Sequence, residues 1–312
     1  MALVQANGLS KNFGEFKAVD DVSFSVERGE VAGFLGPNGA GKSTTMKMLT
    51  GFLPPDAGQA LIHDIDVAVD PVAAKSKLGY LPEGAPAYGD MSVAEYLHFI
   101  AGMRGLSAKV RSERLAEMVE RVQLQEVWNR RIENLSKGFA RRVGIAQALL
   151  HDPEVLILDE PTDGLDPNQK HEMRLLIRQI AKEKAIIIST HILEEVEAVC
   201  TRAIIIAEGR VVADKTPMAL MQRDSDRREV QVLVLAEHAE TAQAVIGAGA
   251  LVEQVQLIEH RGDHSRLMVQ SNHAEFAPLH VLELLSDQAV DVHEIGVHRP
   301  SLEDVFREIT RV

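Results

Sequence analysis

A glycine-rich segment near the beginning of the sequence has the residue types and spacing of a phosphate-binding loop. It fits the pattern G-x-x-x-x-G-K-[ST] and consists of Gly36, Pro37, Asn38, Gly39, Ala40, Gly41, Lys42, Ser43 and Thr44. Glycines let such a loop turn its backbone N–H groups toward phosphate oxygens. We expect Lys42 to reach the β- and γ-phosphates of a nucleotide and the Ser43 hydroxyl to bind Mg²⁺. The alternative, an ordinary glycine-rich turn, is disfavoured by the strand predicted before it and the helix predicted after it.

Two carboxylates at the end of a second apolar segment predict the hydrolytic part of the same site. Residues 155–158 are all apolar and are followed by Asp159 and Glu160. We expect Asp159 to hold Mg²⁺ through its water shell and Glu160 to polarise an attacking water as a general base. By itself this pattern is as often only the end of a strand. The phosphate loop upstream is what favours the catalytic interpretation.

Three further motifs, in a fixed order along the chain, carry a family resemblance. Residues 135–139 are Leu-Ser-Lys-Gly-Phe, Asp166 ends a Gly-Leu-Asp segment, and His191 follows Ser-Thr. With the phosphate loop, they make the chain resemble the nucleotide-binding subunit of an ATP-binding-cassette (ABC) transporter. The resemblance implies a signature motif, an Asp loop that contributes to ATP binding, and a switch histidine. A lone histidine would more often be a core or surface residue, but five elements in the family's order outweigh that alternative.

The resemblance also assigns an aromatic residue to the nucleotide base. Phe13, in Leu-Ser-Lys-Asn-Phe-Gly, matches the residue that stacks on adenine. Stacking of a base on an aromatic ring is worth roughly 1–3 kcal/mol. Phe16 is the rival for this role, and packing of Phe13 in the core is the alternative.

Two departures from the family pattern are present. The signature is usually Leu-Ser-Gly-Gly-Gln, and here Lys137 and Phe139 replace two of its residues. Ser136 and Gly138, the positions implied to touch the γ-phosphate, are kept. Glu83 stands in the loop that usually carries Gln, where a carboxylate can take Mg²⁺ or its water and serve catalysis. Both departures, together with the tail segment Pro-Ser-Leu-Glu-Asp-Val-Phe at residues 300–306, make the chain resemble the subgroup that powers type-two exporters, which includes drug, polysaccharide and gliding-motility systems.

In this family the signature motif does not reach the nucleotide of its own chain. The resemblance therefore implies a head-to-tail homodimer that ATP closes and hydrolysis reopens. It implies a separate integral membrane permease and a peripheral location at the cytoplasmic face of the membrane. Pro86, Tyr88 and Met91 form the expected coupling surface, although these apolar residues could equally belong to the core. The rival function is a cassette ATPase that acts mechanically or as a regulator on a membrane protein without transporting a substrate.

The elements that must position these residues alternate between strands and helices. Residues 22–26 alternate in polarity, which predicts a half-buried antiparallel strand. Three apolar segments predict strands covered on both faces: 31–35, 155–158 and 185–189. Residues 114–122 have helical spacing within an inserted helical subdomain at about 84–150. We predict an α/β P-loop ATPase core with antiparallel β and helical subdomains over residues 1–222.

A polar linker at residues 222–228 precedes a tail of different character. Residues 223–312 carry a net charge of −8, and no lysine follows Lys215. Their pattern predicts the order β-α-β-β-α-β, which is ferredoxin-like, and a last short helix capped by Ser301. We predict a C-terminal α+β accessory domain over residues 223–312 that regulates or strengthens dimer and partner contacts. A merely solvated domain is the alternative.

The composition excludes several classes of protein. The 312 residues are 46% hydrophobic and 25% charged, which excludes collagen, coiled coil or disorder for the whole chain. No apolar run approaches the roughly 20 residues of a membrane helix, and no export signal is expected. The net charge of −13 argues against nucleic acid as a partner. Cys200 is expected to be a small buried residue. His260 and His264 have metal-ligand spacing for a helix, but Gly262 between them favours a solvated hairpin.

Overall fold

The computed structural model describes residues 2–85, 87–221, 228–288, 290–298 and 301–310. The chain divides into two units, of which the first is Met1–Pro217 with Phe306–Val312 and the second is Met218–Val305. The boundary predicted after residue 222 and nearly all of the predicted linker fall on residues 222–227. These lie outside the described residues, so the linker stays a prediction.

Both units contain strands and helices. The strands of the first unit are β1 (Ala2–Phe13), β2 (Phe16–Glu27), β3 (Val31–Leu35), β4 (Ala57–Ile62), β5 (Ile65–Asp66), β6 (Leu78–Leu81), β7 (Val155–Asp159), β8 (Ala185–Thr190), β9 (Arg202–Ala207) and β10 (Arg210–Lys215). Its helices are α1 (Lys42–Leu49), α2 (Pro71–Ser76), α3 (Val93–Met103), α4 (Ala108–Arg121), α5 (Lys137–Leu149), α6 (Pro167–Ala181) and α7 (Leu193–Val199). Helix α8 (Pro217–Met221) leads into the second unit, whose elements are β11 (Arg228–Leu235), α9 (Ala239–Gly247), β12 (Gln254–Arg261), β13 (His264–Ser271), α10 (Pro278–Ser286) and β14 (Val292–His298), followed by α11 (Leu302–Thr310).

A six-stranded sheet with the order β10-β9-β3-β8-β7-β6 forms the centre of the first unit. All its strands run parallel except β10, which pairs antiparallel with β9. β3, β7 and β8 are buried along their whole length, as their unbroken apolar runs predict for a sheet covered on both faces. Because the carboxyl ends of parallel strands meet at one edge, the segments that follow β3, β6, β7 and β8 converge there.

An antiparallel sheet with the order β2-β1-β4-β5 accompanies the central sheet. On β2, Val22, Phe24 and Val26 are buried while Ser23 is exposed, so the alternating pattern of this segment forms the half-buried strand that it predicts. The hairpin of β1 and β2 ends with Phe13 paired to Phe16. The sheet thereby places two aromatic side chains at one hairpin tip.

Helices α3, α4 and α5 lie within the segment predicted as a helical subdomain. Ser92 and Glu95 form a capping box at the start of α3, in which the Glu95 carboxylate accepts from the Ser92 N–H at 2.8 Å. Leu115, Met118 and Val122 are buried at helical spacing along and just after α4, as their pattern predicts. Among the described residues, no helix combines the length and the apolar character that a membrane span requires.

The second unit has a four-stranded sheet with the order β12-β13-β11-β14, in which all neighbours are antiparallel. The buried valines of β11 pack with Ala242 and Ile246 of α9 and with Val281 and Leu285 of α10. This is the arrangement that the order β-α-β-β-α-β predicts, and the predicted fold class is confirmed for the chain.

The structure also shows the surroundings of the histidine pair and of the cysteine that were singled out in the sequence. His260 and His264 lie on the β12–β13 hairpin, where His260 Nδ1 is 2.7 Å from Ser265 Oγ and the rings of His264 and His293 have centroids 4.5 Å apart. Cys200 directly follows α7 and is partly buried against the hydrophobic core, rather than fully buried as predicted. Loss of solvent around it raises the pKa of its thiol to about 12. A thiol in such surroundings is inert as a nucleophile.

Candidate functional site

The phosphate loop connects β3 to α1 through glycines that the fold requires. Gly39 and Gly41 have φ values of +83° and +104°, which residues with a side chain rarely adopt. A Cβ atom at Gly41 would lie 2.5 Å from the Ala18 carbonyl oxygen, and one at Gly36 would lie 2.4 Å from the Ile206 carbonyl oxygen. The loop can therefore approach its neighbouring strands only because these positions carry no side chain.

Lys42 is the first residue of α1 and is buried, with 7% of its surface exposed. Its Nζ donates hydrogen bonds to the carbonyl oxygens of Gly36 at 2.7 Å and Pro37 at 3.1 Å. Burial lowers the pKa of Lys42, while the charges of nearby carboxylates, Glu160 first among them, act to raise it. The ammonium group is thus held within the loop, where a triphosphate would supply the missing counter-charge.

Asp159 ends β7 as a buried carboxylate with 2% of its surface exposed. Its Oδ1 has no hydrogen-bond partner among the described residues, and burial raises the pKa of the carboxyl group. The negative charge of Glu83 acts on Asp159 in the same direction. Asp159 Oδ1, the Ser43 hydroxyl and the Glu83 carboxylate together fit the all-oxygen ligand set of Mg²⁺.

Glu160 has an unusual backbone and a directed side chain. Its φ of +49° is left-handed, which costs roughly 1–2 kcal/mol for a residue with a Cβ atom, and its N–H donates to the Ser189 carbonyl oxygen at 2.9 Å. Glu160 Oε1 lies 2.9 Å from His191 Nδ1, while Oε2 is buried with no hydrogen-bond partner among the described residues. Backbone strain of this kind clusters at functional sites.

Lys42, Glu160 and His191 open onto one cleft of about 390 Å³, whose described lining does not include Asp159. Its lining consists of Phe13, Phe16, Ala18, Asn38, Gly39, Gly41, Lys42, Ser43, Thr44, Glu83, Glu160, Asp163 and His191. Phe13 and Phe16 stand at its edge with 51% and 61% of their surfaces exposed. The core-packing alternative for Phe13 is therefore wrong, and both aromatic rings stay candidates for stacking on a base. Gly36 and Ala40 are buried within the loop.

The signature motif and the Asp loop contribute nothing to this lining. Ser136, Gly138 and Asp166 are absent from the described residues that border the cleft. Ser136 is the exposed N-cap of α5, where its Oγ accepts from the Phe139 N–H at 3.3 Å, and Asp166 caps α6. The signature motif lies close to the first turn of α6, since a Cβ atom at Gly138 would lie 2.8 Å from the Gln169 side chain.

Two residues of the described cleft lining, Ala18 and Asp163, were missed by reasoning from the sequence. Asp163 is exposed in the turn after Glu160 and lines the cleft. It is the third carboxylate in the run Asp-Glu-Pro-Thr-Asp after β7. Counting all carboxylates that follow that strand, rather than the first two, would have identified it.

The segment predicted to contact a membrane partner separates into exposed and packed residues. Tyr88 is 55% exposed, and its ring meets that of Phe99 edge-on at 5.7 Å between centroids. Met91 packs against the hydrophobic core instead, as the alternative for these apolar residues allowed. Pro86 lies outside the described residues.

Comparison with known proteins gives relatives of one family. The family model described as ABC transporter matches residues 19–163. LnrL, the linearmycin resistance ATP-binding protein of Bacillus subtilis, is 34% identical over 314 residues, which covers 99% of this chain and 98% of LnrL.

Two further relatives each match more than two thirds of the chain. YbhF of Escherichia coli, a probable multidrug ABC transporter ATP-binding protein, is 38% identical over 216 residues, or 69% of this chain. That match spans only 37% of the length of YbhF. A solved structure of an ATP-binding subunit of an ABC transporter, 32% identical, has a TM-score of 0.66 and covers 72% of this chain and 93% of its own.

Proposed function

The chain belongs to the ABC transporter family, and from its cleft we propose that it binds and hydrolyses ATP to drive a separate membrane permease. The proposal rests on one observation. The phosphate loop, Asp159 and the pair of Glu160 and His191 lie at the same edge of the central sheet. Together these residues provide the phosphate-binding groups, the Mg²⁺ ligand and the general base that phosphoryl transfer to water requires.

Within this cleft, we assign the residues the following roles. Backbone N–H groups of the loop and the Lys42 ammonium bind the phosphates, with Asn38 and Thr44 beside them. Phe13 or Phe16 stacks on the adenine ring. Glu160 accepts the proton of a water molecule whose oxygen attacks the γ-phosphorus, and ADP leaves.

The contact of Glu160 Oε1 with His191 leaves Oε2 free of protein hydrogen bonds among the described residues. This oxygen is therefore the one that we assign to the attacking water. Ser43, Asp159 and Glu83 would hold Mg²⁺, which supplies neutralisation of the charge on the β- and γ-phosphates.

We further propose that a second copy of the chain completes the site. Ser136 and Asp166 are exposed helix caps that do not border the cleft among the described residues. In a head-to-tail homodimer, Ser136 and Gly138 of one protomer would close on ATP held by the phosphate loop of its partner. The N-terminus of α5 would then point at the γ-phosphate. ATP would bind the closed dimer better than the open one and shift that equilibrium.

The proposed permease contact is the aromatic patch formed by Tyr88 and Phe99, next to the buried side chain of Tyr96. Tyr88 and Phe99 are exposed at 55% and 39%, and the ring of Tyr88 lies 6.2 Å from that of Tyr96. Exposed aromatic rings are typical of contact surfaces between proteins. The patch lies shortly after Glu83 in the chain, so a change at the γ-phosphate has a short path to it. Binding there would place the protein at the cytoplasmic face of the membrane.

The names of two relatives support a placement in the type-two exporter subgroup. LnrL is a linearmycin resistance protein, and YbhF is a probable multidrug transporter component. We therefore infer that the permease exports its substrate.

The test is a mixture of two inactive variants, Lys42→Ala and Ser136→Ala. In a mixed dimer, one composite site contains both lesions and the other contains neither. If the two sites act independently, equal mixing should restore about a quarter of the wild-type ATP hydrolysis. Each variant alone should stay inactive.

The chain offers matched controls for both substitutions. Lys47→Ala removes an exposed lysine from the same helix α1, and Ser107→Ala removes another helix N-cap serine, at α4. Both should keep wild-type hydrolysis. Absence of recovery in mixtures that contain verified mixed dimers would place the whole site in one chain and contradict the homodimer.

A further inference from the structure

A buried hydrogen-bonded pair flanks the switch histidine. Thr190 ends β8 and is fully buried, and Glu195, in the first turn of α7, is 3% exposed. The Thr190 hydroxyl donates to Glu195 Oε2 at 2.9 Å and accepts from the Ile192 N–H at 3.1 Å. Of the two neighbours of His191, Thr190 is therefore bonded to the carboxylate directly and Ile192 through the Thr190 hydroxyl.

The single hydrogen of a threonine hydroxyl rotates to suit its acceptor. When Glu195 holds that hydrogen, the lone pairs of Thr190 Oγ1 are left for the Ile192 N–H. The turn that carries His191 is thus closed at its base. The imidazole itself is half exposed and meets Glu160 Oε1 at 2.9 Å, so its direction depends on this turn.

Burial of the Glu195 carboxylate is unfavourable for the fold. Its Oε1 has no hydrogen-bond partner among the described residues, and burial raises the pKa of the group. Of the charges that face it, Lys170 and Arg174 of α6 favour the ionised form and Glu160 disfavours it. An apolar side chain could fill this place without that cost, so packing alone does not account for a carboxylate here.

We propose that Glu195 is a positioning residue for His191: through Thr190 it fixes the turn that presents the imidazole to Glu160. The inference rests on the proposed function, in which His191 and Glu160 act on the water that attacks ATP. Glu195 is not among the described residues that line the cleft. It therefore acts through other residues and does not touch the nucleotide.

The first experiment measures steady-state ATP hydrolysis by the full chain. Glu195→Ala should lower kcat by about 10- to 100-fold, the loss typical of a misplaced catalytic group, and leave KM for ATP nearly unchanged. Thr190→Val should have the same effect. Glu195→Gln should keep most of the activity, because its amide oxygen still accepts the Thr190 hydrogen. The matched control is Glu194→Ala, whose side chain on the same helix is 86% exposed, and it should behave as wild type.

The second experiment repeats the Glu195→Ala substitution in a His191→Ala background. If Glu195 acts through His191, kcat should fall no further there, because residues that act as a unit are not additive. An equal fold loss with and without His191 would overturn the proposal. A loss confined to KM would also overturn it.

The third experiment needs no ATP and separates this inference from the proposed function. In protein with ¹⁵N-labelled histidines, the signals of His191, assigned with the His191→Ala variant, report the tautomer that its contact with Glu160 selects. Glu195→Ala should shift them toward free imidazole, and Glu194→Ala should not. Unchanged His191 signals would refute the positioning role. If the signals shift while no variant alters hydrolysis, the positioning role stands and the catalytic role of His191 is wrong.

Discussion

Replacing Asp159 by asparagine should make the nucleotide-free protein more stable and less active. The carboxylate is 2% exposed, and its Oδ1 lacks a hydrogen-bond partner among the described residues. Because burial raises its pKa in the folded state, folding favours the protonated acid. The associated stability is fully present below the pKa of the unfolded chain and is lost as the pH rises through the folded value. At neutral pH the ionised group therefore opposes folding.

The size of the gain follows from what asparagine leaves behind. A buried charge without a hydrogen-bond partner destabilises the fold by more than the roughly 1–3 kcal/mol of a neutral group without one. The asparagine amide would still carry the cost of the neutral group. We expect a net gain of about 1 kcal/mol, or roughly 2–4 °C in Tm. ATP hydrolysis should fall by about a hundredfold or more, because the variant loses a ligand of the proposed Mg²⁺ site, whose charge neutralisation is worth several kcal/mol.

The assay is thermal unfolding from pH 4 to pH 8, without nucleotide and with ATP and Mg²⁺. The Asp159→Asn variant should be more stable than wild type without nucleotide at pH 8, converge with it toward pH 4, and gain less from Mg²⁺. Asp152→Asn is a control variant whose stability should change in the opposite direction. Burial alone would raise the pKa of Asp152, but its hydrogen bond with Lys184 at 2.8 Å lowers it overall, so this variant should lose stability. A destabilised Asp159→Asn protein at pH 8 would refute the reasoning.

Three further predictions address the base, the loop and the tail. Glu160→Gln should keep ATP binding, lose about 10²- to 10⁴-fold in hydrolysis, and accumulate as an ATP-bound dimer on size-exclusion chromatography; near-normal turnover would remove Glu160 from its role. Gly41→Ala should weaken ATP binding more than Gly39→Ala, as measured by titration, because only at Gly41 would the added methyl group meet a carbonyl oxygen, at 2.5 Å. A chain truncated after Arg223 should fold and bind ATP with altered hydrolysis or dimer affinity, since every cleft residue precedes it; a folded fragment that cannot bind ATP would show that the tail belongs to the site.

The sequence predicts the centre of the first unit well, for a simple physical reason. Strands covered on both faces must be apolar throughout, so the runs at β3, β7 and β8 are visible without a structure. The chemical residues follow those runs directly, and parallel pairing then brings them to one edge. The valines at every second position of β11 make the second sheet equally visible.

Other features depend on contacts that a linear pattern does not contain. Tyr88 is exposed while Met91, three residues later, packs into the core, and both are apolar residues in a loop without periodicity. The choice between Phe13 and Phe16 is undecided in the sequence because the hairpin places both at its tip. Glu195 resembles the other acidic residues of its helix until its burial beside Thr190 is known.

The strand order of the central sheet also determines when the protein can acquire its nucleotide site during synthesis. β3 lies between β8 and β9, and the Val31 N–H at its start donates to Thr201 Oγ1, 170 residues further along the chain. The ribosome therefore makes the glycine-rich loop long before it makes the strands that support it. Until β8 emerges, the apolar β3 has no neighbour in the sheet, and until β9 emerges one of its edges stays uncovered. Such long-range parallel pairing folds slowly and is exposed to aggregation. Nascent chains that end before Arg202 should depend on chaperones, while those that extend past β10 can close the sheet.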